Sequence, residues 1–228
     1  YVPRIFFTDE AEKLLVLTLN RHQNQLDIYL ANPRSTECRV IVREQAECYV
    51  TEETLKNFEV TPNGFVLMSE RSGYKHLYHY DLNGTLRKQL TNGNFDVTSF
   101  YGYDTKTGIT YFASNQESPL RKSIYKRDAK GKVTRLSSSA TGTNSAIFSR
   151  NFRYYMNTWS ALNTPHITTL CDASGKTLKT LEDNAALRQK LAGLKLGERK
   201  FFTLTTSEGI QLNGFMVLPA DFNPSVKY

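Results

Sequence analysis

The chain of 228 residues contains no apolar run near the roughly 20 residues that a membrane-spanning helix needs, which excludes such a span within it. Its three cysteines, Cys38, Cys48 and Cys171, show neither a C-x-x-C pair nor any metal-ligand spacing, and their odd number leaves at least one thiol unpaired within the chain. Cys38 and Cys48 could bridge only if neighbouring strands brought them together; otherwise all three read as small buried or half-buried apolar residues. Glycine and proline are too few for a collagen-like or low-complexity chain. There is a single tryptophan, and the four histidines are not spaced as a ligand set. The chain opens on Tyr1-Val2-Pro3-Arg4 without the charged and apolar regions of a leader, and that opening reads as the edge of a fragment.

What is present is a strand, turn and strand that recurs. Asp81-Leu82-Asn83-Gly84, Asp128-Ala129-Lys130-Gly131 and Asp172-Ala173-Ser174-Gly175 each put an Asp three residues before a Gly, between short apolar or β-branched runs, as a tight hairpin requires. Asn32-Pro33-Arg34-Ser35 occupies the same place in an earlier copy, with proline presetting φ and asparagine bonding back to the backbone. Four strands surround each turn. The copies begin near Arg4, Leu55, Asp96 and Ser145, and their turn residues Asn32, Asp81, Asp128 and Asp172 recur every 44 to 49 residues. That is the period of propeller blades. A sandwich also has strands at regular intervals, but it would not repeat one turn at one place in every group of four.

The expected fold is therefore all-β: a β-propeller fragment of about four four-stranded blades over residues 1–182, with a short C-terminal helix and β-hairpin in 183–228. Asp183-Asn184 caps a segment with Leu187 and Leu191 four apart, which predicts a short amphipathic helix. Lys200 to Thr205 and Ile210 to Leu218 predict a hairpin outside the blade pattern.

Charge is biased to the basic side, with 29 Lys and Arg against 22 Asp and Glu. Seven of the basic residues, Arg121, Lys122, Lys126, Arg127, Lys130, Lys132 and Arg135, bunch together. Such a bunch could bind an anionic surface, yet lysine and arginine on exposed strands also block edge-to-edge pairing. With no nucleic-acid signature beside it, no sequence-specific nucleic-acid partner is expected. His76 and His79 are three apart on a predicted strand and so point to opposite faces. His76 is expected to pack within the blade and His79 to lie at its surface. Tyr154, Tyr155 and Trp159 are expected to pack between blades. No metal or other cofactor is expected.

Phe65-Val66-Leu67-Met68-Ser69-Glu70-Arg71-Ser72-Gly73-Tyr74-Lys75-His76-Leu77-Tyr78, followed by Leu90-Thr91-Asn92-Gly93-Asn94-Phe95-Asp96-Val97, resembles two linked signatures of the dipeptidyl peptidase IV family of prolyl-oligopeptidase-type serine peptidases. Asn20-Arg21-His22-Gln23-Asn24, Leu181-Glu182-Asp183-Asn184 and Met216-Val217-Leu218-Pro219 extend the resemblance over essentially the whole chain. The resemblance implies the later half of an eight-bladed propeller, followed by the first strands leading into an α/β-hydrolase domain absent from the sequence. It implies a parent that removes N-terminal Xaa-Pro or Xaa-Ala dipeptides and works in the periplasm, at the cell envelope or after secretion. In that parent the blades shape access for peptide substrates.

The Gly-x-Ser-x-Gly elbow occurs nowhere in the sequence, so no catalytic residue is assigned and the chain alone is expected to be inactive. The family holds the substrate's ammonium group with two glutamates. Glu52 and Glu53 are the adjacent acidic pair of this sequence and become the candidate substrate-facing residues, through charge-assisted bonds. The family's pair belongs to an insertion in an earlier blade, whereas Glu52 and Glu53 follow Tyr49-Val50, so a solvated loop is the other reading. A stand-alone propeller that binds protein is the alternative function. Half a ring would expose apolar faces on its end blades, which predicts a homodimer of the fragment.

Overall fold

The computed structural model describes residues 1–138 and 141–227. Its strands form four antiparallel four-stranded meanders and one hairpin. The first sheet is β1 (Arg4–Phe7), β2 (Leu14–Leu19), β3 (Gln25–Ala31) and β4 (Cys38–Gln45). The second is β5 (Glu59–Thr61), β6 (Gly64–Ser69), β7 (His76–Asp81) and β8 (Leu86–Gln89), preceded by the helix α1 (Glu52–Lys56). The third is β9 (Val97–Asp104), β10 (Ile109–Ser114), β11 (Ser123–Arg127) and β12 (Val133–Arg135). The fourth is β13 (Thr143–Phe148), β14 (Tyr154–Ala161), β15 (Thr164–Asp172) and β16 (Thr177–Glu182). Helix α2 (Ala185–Ala192) and the hairpin of β17 (Arg199–Thr205) and β18 (Gln211–Val217) follow. Two compact units result: residues 1–117 with 124–135, and residues 118–123 with those from Leu136 onward.

The repeated turns owe their shape to their first and fourth residues. The Asp81 carboxylate accepts the backbone N–H groups of Asn83 (2.9 Å) and Thr85 (2.8 Å), and that of Asp172 accepts those of Ser174 (2.8 Å) and Lys176 (3.1 Å). Asp128 accepts the N–H of Lys132 at 2.9 Å. The glycines then take φ of 84° at Gly84, 97° at Gly131 and 94° at Gly175, a region that costs other residues about 1–2 kcal/mol. In the first sheet Asn32 performs the carboxylate's task, accepting the N–H groups of Arg34 (2.8 Å) and Ser35 (3.1 Å). That turn is one residue longer, and its left-handed residue is the β-branched Thr36, with φ 63°, four positions after Asn32 where the later glycines stand three after Asp.

Alternation along the strands sorts the core. In β2, Leu15, Leu17 and Leu19 point inward and meet Phe65, Leu67, Tyr78 and Tyr80 of the second sheet. In β6 every residue is buried, because the sheet is covered on both faces. Phe65 and Leu67 belong to the core shared with the first sheet, while Val66 and Met68 pack with Val97, Phe112 and Tyr125 of the third. A ladder of rings, Phe6, Phe58, Phe65 and Tyr80, runs through the first core with centroids 4.8, 5.2 and 5.3 Å apart.

Three local expectations are corrected. The segment from Leu55 to Val60 is not one strand: it begins inside α1 and reaches β5 only at Glu59. Acidic Glu52 and Glu53 in the first turn and Lys56 in the last suit the helix dipole, and Lys56 pairs with Glu52 at 3.1 Å. Helix α2 forms where expected but buries no residue, and Leu187 is exposed. Asn184 sits in the left-handed region without capping α2; its amide donates to the His166 carbonyl (2.6 Å) while Asp183 accepts the Ala185 N–H (2.9 Å). Tyr154 and Tyr155 also part company, since neighbours on a strand face opposite ways. Tyr155 is buried and donates to the Leu136 carbonyl, whereas Tyr154 is exposed.

The turn carboxylates make the fold sensitive to acid. Burial works against the charge on Asp81, but the N–H groups of Thr85 and Asn83 and the Arg87 guanidinium prevail and hold its pKa below the ordinary 3.8. A lowered native pKa adds stability that is complete above the unfolded value and is lost as pH falls through the native one. Asp27 and Asp104 are shifted the same way, Asp27 chiefly by Arg43. The melting temperature is therefore expected to hold above about pH 5 and to fall from about pH 4 downward. A melting curve unchanged between these conditions would contradict the arrangement.

Candidate functional site

The largest cavity described within the first unit is a cleft of about 500 Å³ at one end of the first two sheets. Its walls are the end of β4, the following segment Ala46 to Thr51, α1 through Thr54, and the turn Glu70 to Gly73 that joins β6 to β7. The wall segment is anchored from behind by the β2–β3 turn. Asn24 accepts the Ala46 N–H (3.0 Å) and Gln23 that of Val50 (2.8 Å) through their carbonyls. The turn itself is closed by Asn20, whose side-chain oxygen accepts the N–H groups of Asn24 (3.1 Å) and Gln25 (3.2 Å). The stretch Asn20 to Asn24 thus holds the cleft wall in place.

The floor carries a charged network. Glu44 follows the inward phase of Val42 on β4, so its carboxylate is buried. It is met by the Arg71 guanidinium and by the Ser69 hydroxyl, which donates to it. Arg71 also donates to Ser69 Oγ through Nε (3.0 Å) and to the Tyr80 hydroxyl, and its guanidinium lies 4.7 Å from the centre of the Tyr78 ring. Burial disfavours the charged Arg71, but Glu44 and Tyr80 outweigh it and raise its pKa. Arg71 is thereby a fixed cation, flanked in the cleft wall by Glu47, Glu70 and the exposed ring of Tyr49.

The two candidate glutamates lie beside this cleft and not together. Glu52 turns to Lys56. Glu53 approaches the Lys75 ammonium at 3.8 Å, and Glu70 approaches the same ammonium at 3.6 Å. A hydrogen bond from its own backbone amide, with Lys75 and Lys56, holds the Glu53 pKa below the carboxylate range against the effect of burial. Their neighbours Thr51 and Thr54 line the cleft, and neither glutamate does.

His76 and His79 face opposite ways as their spacing requires. His76 is buried, donating from Nε2 to the Gly93 carbonyl (2.9 Å), which leaves Nδ1 to accept from the Thr91 hydroxyl (3.1 Å). His79 is half-buried beside Thr61 and the Tyr103 ring, and burial lowers its pKa. Among the described residues no group of three His, Cys, Asp or Glu could hold a metal ion.

Two cysteines depart from expectation: Cys38 and Cys48 are exposed, and only Cys171 is buried. Cys38 begins β4 and Cys48 lies beyond its other end. A strand of that length separates them by roughly 25 Å, far more than a disulfide can bridge, and all three are free thiols. The basic bunch is likewise dispersed. Lys126 and Arg127 alternate across β11, Arg135 pairs with Glu117 at 3.3 Å, and Lys122 is half-buried.

Sequence reasoning met Ser69, Glu70 and Arg71 only within the family signature and missed Glu44. Its signal was an acid on the inward phase of a strand, two residues beyond a buried valine.

The family described as "Dipeptidyl peptidase IV (DPP IV) N-terminal region" matches residues 1–166. Among curated proteins, a dipeptidyl peptidase 4 of Arthroderma otae is 30% identical over 217 residues, covering 92% of this chain and 28% of that protein. One of Trichophyton rubrum is 29% identical over 216 residues, with the same shares. Among solved structures, that of Porphyromonas gingivalis dipeptidyl peptidase 4 superposes with a TM-score of 0.94 at 40% identity, covering 100% of this chain and 32% of that one. A putative dipeptidyl aminopeptidase IV from Bacteroides ovatus, at 22% identity and a TM-score of 0.81, shares the fold. The chain spans about 28% of the curated relatives' length. By its four meander sheets, its linked motifs and a match across residues 1–166, the chain belongs to the dipeptidyl peptidase IV N-terminal-region family and is a β-propeller portion of such a protein.

Proposed function

We propose that this chain is the propeller part of a serine exopeptidase that releases N-terminal Xaa-Pro or Xaa-Ala dipeptides, working in the periplasm, at the envelope or after secretion. The carrying observation is the family match across residues 1–166 on a fold of four blade-like sheets. Residues 1–182 supply the blades. Residues 183–228 lead into an α/β-hydrolase domain, which would cover the apolar side chains that β17 and β18 leave exposed, notably Phe201, Phe215 and Val217. The blades restrict entry to short or unfolded N-termini, and the hydrolase carries the Ser, Asp and His of the reaction.

In this reading Glu52 and Glu53 face the substrate from the rim of the cleft. Support comes from their place at the start of α1, next to the cleft residues Thr51 and Thr54, and from the way Glu53 and Glu70 already accommodate one ammonium, that of Lys75. Exposed apolar side chains on the first sheet, Ile5 and Phe7, and on the fourth, Ile147 and Met156, support self-association of the isolated chain.

The test is hydrolysis of a Gly-Pro chromogenic dipeptide by the chain extended through a hydrolase region, with the 228-residue chain run beside it. The extended protein is expected to release the chromophore and to lose that activity to a serine-directed phosphonate, while the shorter chain releases none. Glu52→Gln with Glu53→Gln is expected to raise KM several-fold with little change in kcat, the mark of lost binding made equally in the ground and transition states. An extended protein without activity overturns the reading.

A further inference from the structure

We propose that the second unit carries a separate site for a compact oxyanion of the phosphate type, on one face of the fourth sheet. The register places Thr143 opposite Ser160 and Ser145 opposite Thr158, so four hydroxyl side chains share that face. His166, two residues before Thr168 on β15, has the same phase as Thr158, which pairs with Thr168. Lys122 enters from the segment before β11, through a parallel bridge to Thr143. Together these six residues line a pocket of about 220 Å³.

The site is built rather than incidental. Asn144, almost fully buried, donates to the Lys122 carbonyl from both its backbone N–H (2.8 Å) and its side-chain amide (3.0 Å). Its own side-chain oxygen accepts from the Asn157 amide at 3.1 Å, so the lysine is carried on a segment locked to the sheet. Burial lowers the Lys122 pKa, and a desolvated ammonium gains more from an anion than an exposed one does. The described lining of the pocket holds no Asp or Glu, in contrast to the cleft of the first unit with Glu44, Glu47 and Glu70. An ammonium, an imidazole and four hydroxyls offer donors on several sides, as a phosphate's oxygens demand and a flat apolar ligand does not. None of these groups belongs to the peptidase reading.

The experiment is isothermal titration calorimetry of the 228-residue chain at constant ionic strength, with inorganic phosphate in one arm and O-phosphoserine in another. Saturable one-site binding is expected. Tighter binding of O-phosphoserine would assign a phosphate carried on a larger molecule, and equal or weaker binding would assign the free anion. Lys122→Met should weaken binding about tenfold or more, the scale of a lost charge-assisted bond. Lys122→Arg should retain it, and Lys179→Met, on β16, should leave it unchanged. If circular dichroism shows that Lys122→Met does not fold, the pair Thr143→Val and Ser145→Ala takes its place, with a loss of several-fold expected. Absence of saturable binding, or binding indifferent to whichever folded variant is used, overturns the proposal.

Discussion

Phe65→Ala is expected to destabilise the first unit by about 3–5 kcal/mol, the range for deleting a buried ring and leaving a cavity. The position has no slack. Phe65 is fully buried, stacked between Phe58 and Tyr80, and its strand is covered on both faces, so no solvent-facing side can relax into the gap. Phe65→Leu should recover much of the loss, since it fills most of the volume. Urea unfolding followed by far-ultraviolet circular dichroism measures both. A loss below about 1 kcal/mol for the alanine variant would mean that the ladder of rings does not organise this core.

Arg71→Met is expected to cost about 3 kcal/mol, toward the lower end of the range for breaking a buried pair because Arg71 is partly solvated. The variant leaves the Glu44 carboxylate buried with the Ser69 hydroxyl as its remaining donor in the network. The double variant Glu44→Leu with Arg71→Met should regain most of the stability, because the cost lies in an orphaned charge and not in the loss of the pair itself. The cycle of two single variants and the double variant measures this coupling directly. Additive losses would show that the two side chains do not depend on each other.

The sequence was most legible where structure is local. An Asp that accepts N–H groups two and four residues ahead, followed by a glycine at positive φ, leaves its mark within five positions, and these turns alone mark the later three sheets. Alternation in β2 likewise announces which leucines face inward. Less could be read where a partner is distant. Glu44 and Arg71 meet across two sheets, and neither has a neighbour in sequence that foretells the other. Helix α1 was hidden because Leu55, Phe58 and Val60 also fit a strand, and five residues are too few to show a helical period. Helix α2 showed the period of an amphipathic helix, yet none of its residues is buried: Leu187 is exposed and Leu191 only half-buried. The adjacency of Glu52 and Glu53 suggested a single binding pair, whereas the first turn of α1 sends one to Lys56 and the other to Lys75.

The double coverage of β6 also sets a timetable. As the chain leaves the ribosome, the second sheet is complete once Gln89 has emerged, with Phe65 and Leu67 already able to settle on the first sheet. Val66 and Met68 gain only Leu77, Leu90 and then Val97 as early neighbours, and their cover is not complete until Phe112 and Tyr125 arrive. At a synthesis rate of about 5–20 residues per second, that face stays open for roughly 2–7 s. Within that interval the nascent chain displays an apolar strand surface that the finished protein never shows, and it is then that a chaperone has most to bind.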